Sequence, residues 1–180
     1  MSQHAIGTNC VQGGYTPGNG EPRQIPIIQS PQNAFYLNLG LESLHVRMPR
    51  HCENALSVAQ FLKGHAKVAW VSYPGLEGDK YYETARKYMP NGTCGVVSFG
   101  VKGGRAAAEV FMKHLKLAAI ETHVADARTC CLHPASSTHR QMTDAELAAA
   151  GVSPDQVRLS CGLEDKSDLI ADLEQALAQI

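Results

Sequence analysis

The chain has 180 residues, of which 44% are hydrophobic and 18% are charged, and its formal net charge at pH 7 is -1. These values are typical of a globular protein, and the 16 basic and 17 acidic residues form no basic stripe, which argues against nucleic acid as a partner. No apolar run approaches the roughly 20 residues that span a bilayer, and the polar start MSQHAIGTNC is unlike a secretion signal. We therefore expect a cytoplasmic protein with no membrane partner.

The first part of the chain, residues 1–30, shows no sustained hydrophobic period and is rich in glycine and proline. Such a segment cannot bury enough apolar surface to pack on itself, so it predicts an extended N-terminal arm. The texture changes near residue 31, and residues 31–180 are predicted to form one folded domain.

Secondary-structure signals follow in chain order from this boundary. Residues 33–65 are predicted to be mostly helical, with a break allowed at Pro49. Strands are predicted at 67–75, 94–101 and 157–162, helices at 79–92 and 105–117, and short strands or strand-like turns at 119–124 and 129–133.

Two helix starts and a final helix complete the pattern. Thr143 and Glu146 form a capping-box sequence, and Ser153 followed by Pro154 repeats this kind of helix start. The last helix has one apolar face that runs to Ile180. The sequence therefore predicts an α+β fold, with a mainly antiparallel sheet of about four strands covered by helices.

The six cysteines have poor spacing for a metal site or a disulfide framework. Four are isolated, no C-x-x-C occurs, and Cys130 and Cys131 are adjacent. Reduced and mostly buried thiols are favoured. His133 and His139 are six residues apart with a proline between them, which favours structural roles over a metal site.

Arg158 lies inside the strand VRLSCG, between Val157 and Leu159. Because successive side chains of a strand alternate, Arg158 faces away from its two apolar neighbours. That face is either exposed to solvent, which makes Arg158 an ordinary surface charge, or it faces a cleft in which the guanidinium binds a carboxylate through two parallel hydrogen bonds. The local sequence leaves both interpretations open.

Several motifs occur along the chain in a fixed order. They are SPQNAFYLNLGLESLHVRMPRHCENAL, VSYPGL, FGVKGG, VADARTCCLHPASSTHRQM and GVSPDQVRLSCGLED. Together they resemble the C-terminal domain of the Cys/Met-metabolism enzymes that use pyridoxal phosphate, and most closely that of the O-acetylhomoserine sulfhydrylases. The resemblance covers residues 30–180 and implies the C-terminal fold of aspartate-aminotransferase-type enzymes.

The N-terminal arm is similar to the other end of the same enzymes. TNCVQGGYTPGNGEPRQIPIIQS resembles their extreme N-terminal segment, which reaches toward a neighbouring subunit. In the family a large central domain follows that segment, whereas in this chain PIIQS runs directly into PQNAF, with the join at Ser30. We therefore expect a truncated protein that lacks the central, cofactor-binding domain.

The resemblance also implies site residues. Arg158 matches the family arginine that binds the α-carboxylate of the substrate, and Thr129 falls where the family has a small residue near the same carboxylate. No lysine stands in the Ser-x-Thr-Lys setting that the family uses for its Schiff base. FGVKGGR lacks the spacing of known phosphate loops and is better explained as a strand-to-helix turn. We expect no catalytic, cofactor-binding or metal-binding residue in this chain.

The family reaction implied is the synthesis of homocysteine and acetate from O-acetylhomoserine and sulfide, with pyridoxal phosphate as cofactor. Because the Schiff-base lysine is missing, we expect the chain alone to be inactive and not to bind the cofactor. Two alternatives remain: a non-catalytic remnant or interaction module, or a fragment of a related γ-lyase or cystathionine synthase. As family members are homo-oligomers, association with itself or with a full-length paralogue is expected.

Overall fold

The computed structural model describes residues 30–180, which divide into two units, 30–42 and 43–180. The first unit contains helix α1, Pro31–Glu42, in which no residue is buried. Its start is held by Ser30, whose Oγ accepts a hydrogen bond of 3.2 Å from the N–H of Asn33. The predicted arm lies outside the described residues, so the boundary at residue 30 stays a prediction.

The second unit contains the remaining helices and strands. In chain order these are α2 Leu44–Gly64, β1 Val68–Ser72, α3 Tyr82–Tyr88, β2 Val96–Val101, α4 Gly104–His114, β3 Ala119–Ile120, β4 Cys130–Leu132, a short 3-10 helix Pro134–Ser136, α5 Asp144–Ala149, β5 Gln156–Ser160 and α6 Lys166–Leu177.

The five strands form one sheet in the order β1-β2-β5-β4-β3. All neighbours are antiparallel except β3 and β4, which are parallel. The prediction of an α+β fold with a mainly antiparallel sheet is confirmed. The strand count exceeds the expected number because the two-residue β3 pairs at the edge. None of the described helices has the length and hydropathy needed to cross a membrane.

The two faces of the sheet differ sharply. Helices α2 and α4 pack on one face, and α6 packs against both of them. The side chains of Val97, Phe99, Val157 and Leu159 point to this helix-covered face and are fully buried. The alternate positions of the same strands, among them Arg158, lie on the opposite face, which we call the open face.

Two local predictions require correction. The helix is interrupted at Ser43, not at Pro49, which lies inside α2. Proline lacks only one N–H, and the buried side chains farther along α2, such as Val58 and Leu62, hold the rest of the helix on the core. No helix begins at Ser153: the N–H of Gln156 donates to the Ser153 carbonyl at 3.0 Å, which closes a turn directly before β5.

The capping box at the start of α5 is confirmed. The Thr143 hydroxyl accepts from the Glu146 N–H at 3.3 Å, while the Glu146 carboxylate accepts from the Thr143 N–H at 2.7 Å. This reciprocal pair satisfies two N–H groups that a helix start otherwise leaves without partners. A local signal of four residues was therefore sufficient to locate this helix.

Candidate functional site

Arg158 lies in the middle of β5, on the open face of the sheet. Val157 and Leu159 on either side are fully buried, whereas Arg158 is half-buried. Across the ladder it pairs with Ser98 of β2 and Leu132 of β4. The alternation predicted from the sequence is therefore confirmed, and the arginine faces away from the helix-covered core.

Within the described part of the chain, the guanidinium of Arg158 has a single hydrogen bond to the protein. Its Nη2 donates to the carbonyl oxygen of Thr122 at 2.8 Å. Among residues 30–180, no carboxylate lies within 4.0 Å of this guanidinium. Since a guanidinium carries five N–H donors, four are left for a ligand, and a planar fork of this kind matches a carboxylate.

Thr129, the second predicted site residue, is buried just before β4. Its hydroxyl donates to the Glu164 carboxylate at 2.8 Å and accepts from the Gly162 N–H at 2.8 Å. Its own N–H donates to the same carboxylate at 2.6 Å. The structure thus engages Thr129 with the segment after β5 and does not bring its hydroxyl into contact with Arg158.

A backbone hydrogen bond also joins the loop before β4 to the segment after β5. The Leu163 N–H donates to the Ala127 carbonyl at 2.8 Å. A Cβ on Gly162 would lie 2.5 Å from both the Ala127 oxygen and the Arg128 carbonyl carbon, so the two segments approach too closely for any side chain there. The N–H of Arg128 donates to the Asp126 carboxylate, which lowers the pKa of that carboxyl and favours the turn.

Helix α2 holds the segment after β5 from its other side. Asn54 Nδ2 donates to the carbonyls of Gly162 and Glu164, both at 2.9 Å, and His51 Nδ1 lies 2.7 Å from the Cys161 carbonyl. Sequence reasoning missed these residues. The available signal was a histidine and an asparagine three positions apart on a helix face that otherwise turns apolar residues to the core.

The other residues weighed from the sequence have structural contacts. His133 is buried, with Nδ1 at 2.8 Å from Ser136 Oγ and Nε2 at 2.9 Å from the Pro154 carbonyl. His139 lies beside the Thr138 hydroxyl. The five described cysteines are free thiols, while Cys10 lies outside the described residues. No group of metal-ligating side chains occurs within residues 30–180.

Pyridoxal phosphate would need a lysine beside a cradle for its phosphate. All eight lysines fall in the described part of the chain, and all are exposed except the half-buried Lys67. The Nζ atoms of Lys63, Lys67 and Lys102 donate to backbone carbonyls. FGVKGGR is the turn between β2 and α4, as predicted. Within residues 30–180, these lysines therefore do not fit the cofactor, and we assign no chemical step to it.

One cavity in the described part of the chain has a volume of about 610 Å³ and is not lined by Arg158. Its walls come from α2, α3 and the turns beside them, including Leu56, Tyr82 and Met89. A second cavity of about 540 Å³ lies on the open face beside Trp70, Ser98 and Gln156. Neither cavity is lined by Arg158 or by the loop that contacts it.

Comparison with known proteins gives the class of protein to which the chain belongs. The sequence profile of the Cys/Met metabolism PLP-dependent enzymes matches residues 9–178. The chain therefore belongs to this family, as its motifs indicated.

The individual relatives include O-acetylhomoserine sulfhydrylases, the enzymes that the sequence was predicted to resemble most. An O-acetyl-L-homoserine sulfhydrylase from Leptospira meyeri is 48% identical over 152 residues, which is 84% of this chain and 34% of the relative. An L-methionine gamma-lyase from Fusobacterium nucleatum is 43% identical over 153 residues, which is 85% of this chain and 38% of the relative. The chain thus spans about a third of the length of these relatives.

A solved structure shares the fold. It comes from Campylobacter jejuni, is described as an O-acetylhomoserine (thiol)-lyase, and contains a pyridoxyl-lysine phosphate. It superposes with a TM-score of 0.76 at 40% identity, over 82% of this chain and 35% of that one. The similarity confirms that the second unit has the fold of a domain of a PLP-dependent enzyme.

Proposed function

We propose that this chain carries the carboxylate-binding part of an O-acetylhomoserine sulfhydrylase, with Arg158 as the residue that binds the α-carboxylate of the amino acid. The observation that supports this most directly is the state of the guanidinium, which has one hydrogen bond to the protein and no acidic partner among the described residues. A carboxylate can accept two parallel N–H bonds from it without displacing an internal ion pair.

The whole reaction, from O-acetylhomoserine and sulfide to homocysteine and acetate, needs more than this chain contains. Because its lysines do not fit pyridoxal phosphate, the chain alone binds no cofactor and is inactive. A Schiff-base lysine and a phosphate site would have to come from another polypeptide or from a longer form of the protein. We assign the protein to the cytoplasm, where its thiols would stay reduced.

Thr129 has an indirect role in this proposal. Its hydroxyl and its N–H bind Glu164, four residues beyond the strand end. It therefore contributes to the carboxylate site by fixing the chain after β5, and it does not contact the ligand. Thr129→Val, which keeps the shape but removes the hydroxyl, would weaken ligand binding less than Arg158→Ala.

An interaction module is a second candidate function. On α1, the large apolar side chains of Phe35, Tyr36, Leu37, Leu39 and Leu41 are between 47% and 59% exposed. Apolar surface of this kind favours association, either with a second copy or with a full-length paralogue. Sedimentation at several concentrations tests it, and a monomer at all of them would refute self-association.

The relatives leave a third possibility, since a methionine gamma-lyase is also 43% identical to the chain. A γ-lyase or a cystathionine synthase would bind its amino acid through the same arginine. The residues of this chain do not select between these enzymes and a sulfhydrylase.

The experiment is a titration of the purified 180-residue chain with O-acetyl-L-homoserine, followed by NMR of arginine side-chain Nε–H signals. The Arg158 signal should shift on binding, and Arg158→Ala should abolish the response. Arg128→Ala is the matched control, since Arg128 is exposed in the neighbouring loop and its side chain is 71% accessible. An unchanged Arg158 signal at saturating ligand would refute the carboxylate role, and sulfide-dependent homocysteine formation by the chain alone would refute its inactivity.

A further inference from the structure

The loop that contacts Arg158 contains a strained residue. Ala125 has φ = +59°, and it is the single non-glycine residue with positive φ in the described part of the chain. In this left-handed region the Cβ of an L-residue crowds the following carbonyl oxygen, so alanine adopts it only when its surroundings hold it there. Ala125 is exposed, which means that packing of its methyl group does not supply the restraint.

A buried hydroxyl contacts the backbone of this residue. The N–H of Ala125 donates to Ser160 Oγ at 3.1 Å, and Ser160 is 2% exposed. Ser160 stands two positions after Arg158 on β5, so the two side chains project from the same face of one strand. Both contact the same loop: Arg158 donates to the carbonyl of Thr122, and Ser160 accepts from the N–H of Ala125, three residues later.

We propose that Ser160 is a positioning residue for Arg158, because it holds Ala125 in the left-handed conformation that places the Thr122 carbonyl against the guanidinium. The proposal deepens the proposed function, since the purpose of the positioning is to present a pre-oriented guanidinium to a carboxylate. Ser160 itself contacts no ligand.

Loss of the Ser160 hydroxyl is expected to act on Arg158 in two steps. Without the Ser160 oxygen, Ala125 relaxes toward negative φ, and the backbone between it and Thr122 changes direction. The guanidinium then loses its one hydrogen bond to the protein and regains the rotamer freedom of a long side chain. A ligand must afterwards order the arginine as well as bind it, which weakens binding even though every contacting atom is still present.

Ser160→Ala tests the first step directly in the full chain. We expect faster side-chain motion at Arg158, seen as a lower order parameter of its Nε–H, and about fivefold weaker binding of O-acetyl-L-homoserine, as one lost hydrogen bond implies. Adding Ala125→Gly to this variant should restore much of the order at Arg158 and much of the binding affinity, because glycine adopts positive φ without needing a hydrogen bond to Ser160. Ser72→Ala is the control: it removes a hydroxyl from the open face two strands away and should leave Arg158 unchanged.

Ala125→Val tests the same proposal without touching the buried strand, in case Ser160→Ala fails to fold. A β-branched residue tolerates positive φ even less than alanine, and position 125 is exposed, so the fold should survive while Arg158 loosens. Unchanged order at Arg158 in folded Ser160→Ala or Ala125→Val would overturn the proposal. If both variants loosen Arg158 but the parent binds no O-acetyl-L-homoserine, the positioning role stands and the carboxylate role fails.

Discussion

The two faces of the sheet are built from the same strands but differ in burial and in the hydrogen bonding of their side chains. On the helix-covered face, Phe99 and Leu159 are fully buried among helices. On the open face, their neighbours Ser98 and Arg158 are half-buried; among the described residues, the serine has no side-chain hydrogen bond and the arginine has a single one. Alternate positions of β2 and β5 thus separate the buried core from the arginine that we propose binds the ligand. Substitutions at successive residues are therefore expected to change stability and ligand binding separately.

The largest effect is expected on the helix-covered face. Phe99 packs edge-on against Phe111 of α4, with ring centroids 5.7 Å apart. Phe99→Ala removes a fully buried ring and leaves a cavity between β2 and α4, so it should lower the free energy of unfolding by about 3–5 kcal/mol. Urea denaturation of the full chain measures this.

Ser98→Ala is the matched control for that prediction, one residue away on the open face. It should change the free energy of unfolding by no more than about 0.5 kcal/mol, because the hydroxyl has no partner among the described residues. Equal losses from the two substitutions would mean that the open face is also part of the stabilising core.

The distinction between the faces was predictable from the sequence, because it needs only local alternation. Val157 and Leu159 flank Arg158, and a strand must then place the arginine on the other side. The strands, the capping box at Thr143 and the last helix were predicted for the same reason: each depends on residues within a few positions of one another. The helix start expected at Ser153 failed because β5 begins only three residues later.

The contacts that hold the site could not be predicted in this way. Thr129 and Glu164 are 35 residues apart, and Asn54 and Gly162 are 108 apart. Such pairs are brought together by the packing of the whole domain, which no local pattern records. The left-handed Ala125 was also hidden, since glycine or asparagine is the usual signal for positive φ.

Substitution of Asn54 should have the second largest effect on stability, since its side chain links helix α2 to the segment after β5. Asn54→Ala leaves the buried carbonyl of Gly162 without its hydrogen-bond donor. We therefore expect the free energy of unfolding to fall by about 2–3 kcal/mol. Gln60→Ala on the exposed side of α2 is the control and should be nearly neutral. If the two variants unfold alike in urea, the link between α2 and this segment contributes nothing.

Tyr73 gives a smaller effect that depends on pH. Burial raises the pKa of Tyr73 to about 12. Its hydroxyl donates to the Cys94 carbonyl at 2.9 Å and accepts from Thr93 Oγ1 at 2.9 Å. Because the folded pKa lies above the unfolded value of about 10, the neutral phenol stabilises the fold fully below pH 10, and this contribution is lost as pH rises through 12.

Tyr73→Phe should therefore cost about 1 kcal/mol at neutral pH, and the gap between parent and variant should narrow above about pH 10. Unfolding in urea at about pH 8, 9.5 and 11 measures the gap directly. A gap that widens with pH would contradict the sign, because it would require the phenolate to be the form that the fold stabilises.

The smallest expected effect on stability is also the one most closely tied to function. Arg158→Ala removes a half-buried side chain with one hydrogen bond to the protein, so the free energy of unfolding should change by about 0.5 kcal/mol or less. Binding of O-acetyl-L-homoserine should be lost in the same variant. Arg158→Lys keeps the charge but not the planar fork, so it should retain stability and recover only part of the binding.

A loss on the order of 3 kcal/mol in the free energy of unfolding of Arg158→Ala would show instead that the guanidinium compensates a buried acid, since removing one partner of such a pair leaves the other without a counter-charge. That result would make Arg158 part of the stabilising structure, and the separation between the two faces of the sheet would fail at the residue where it matters most.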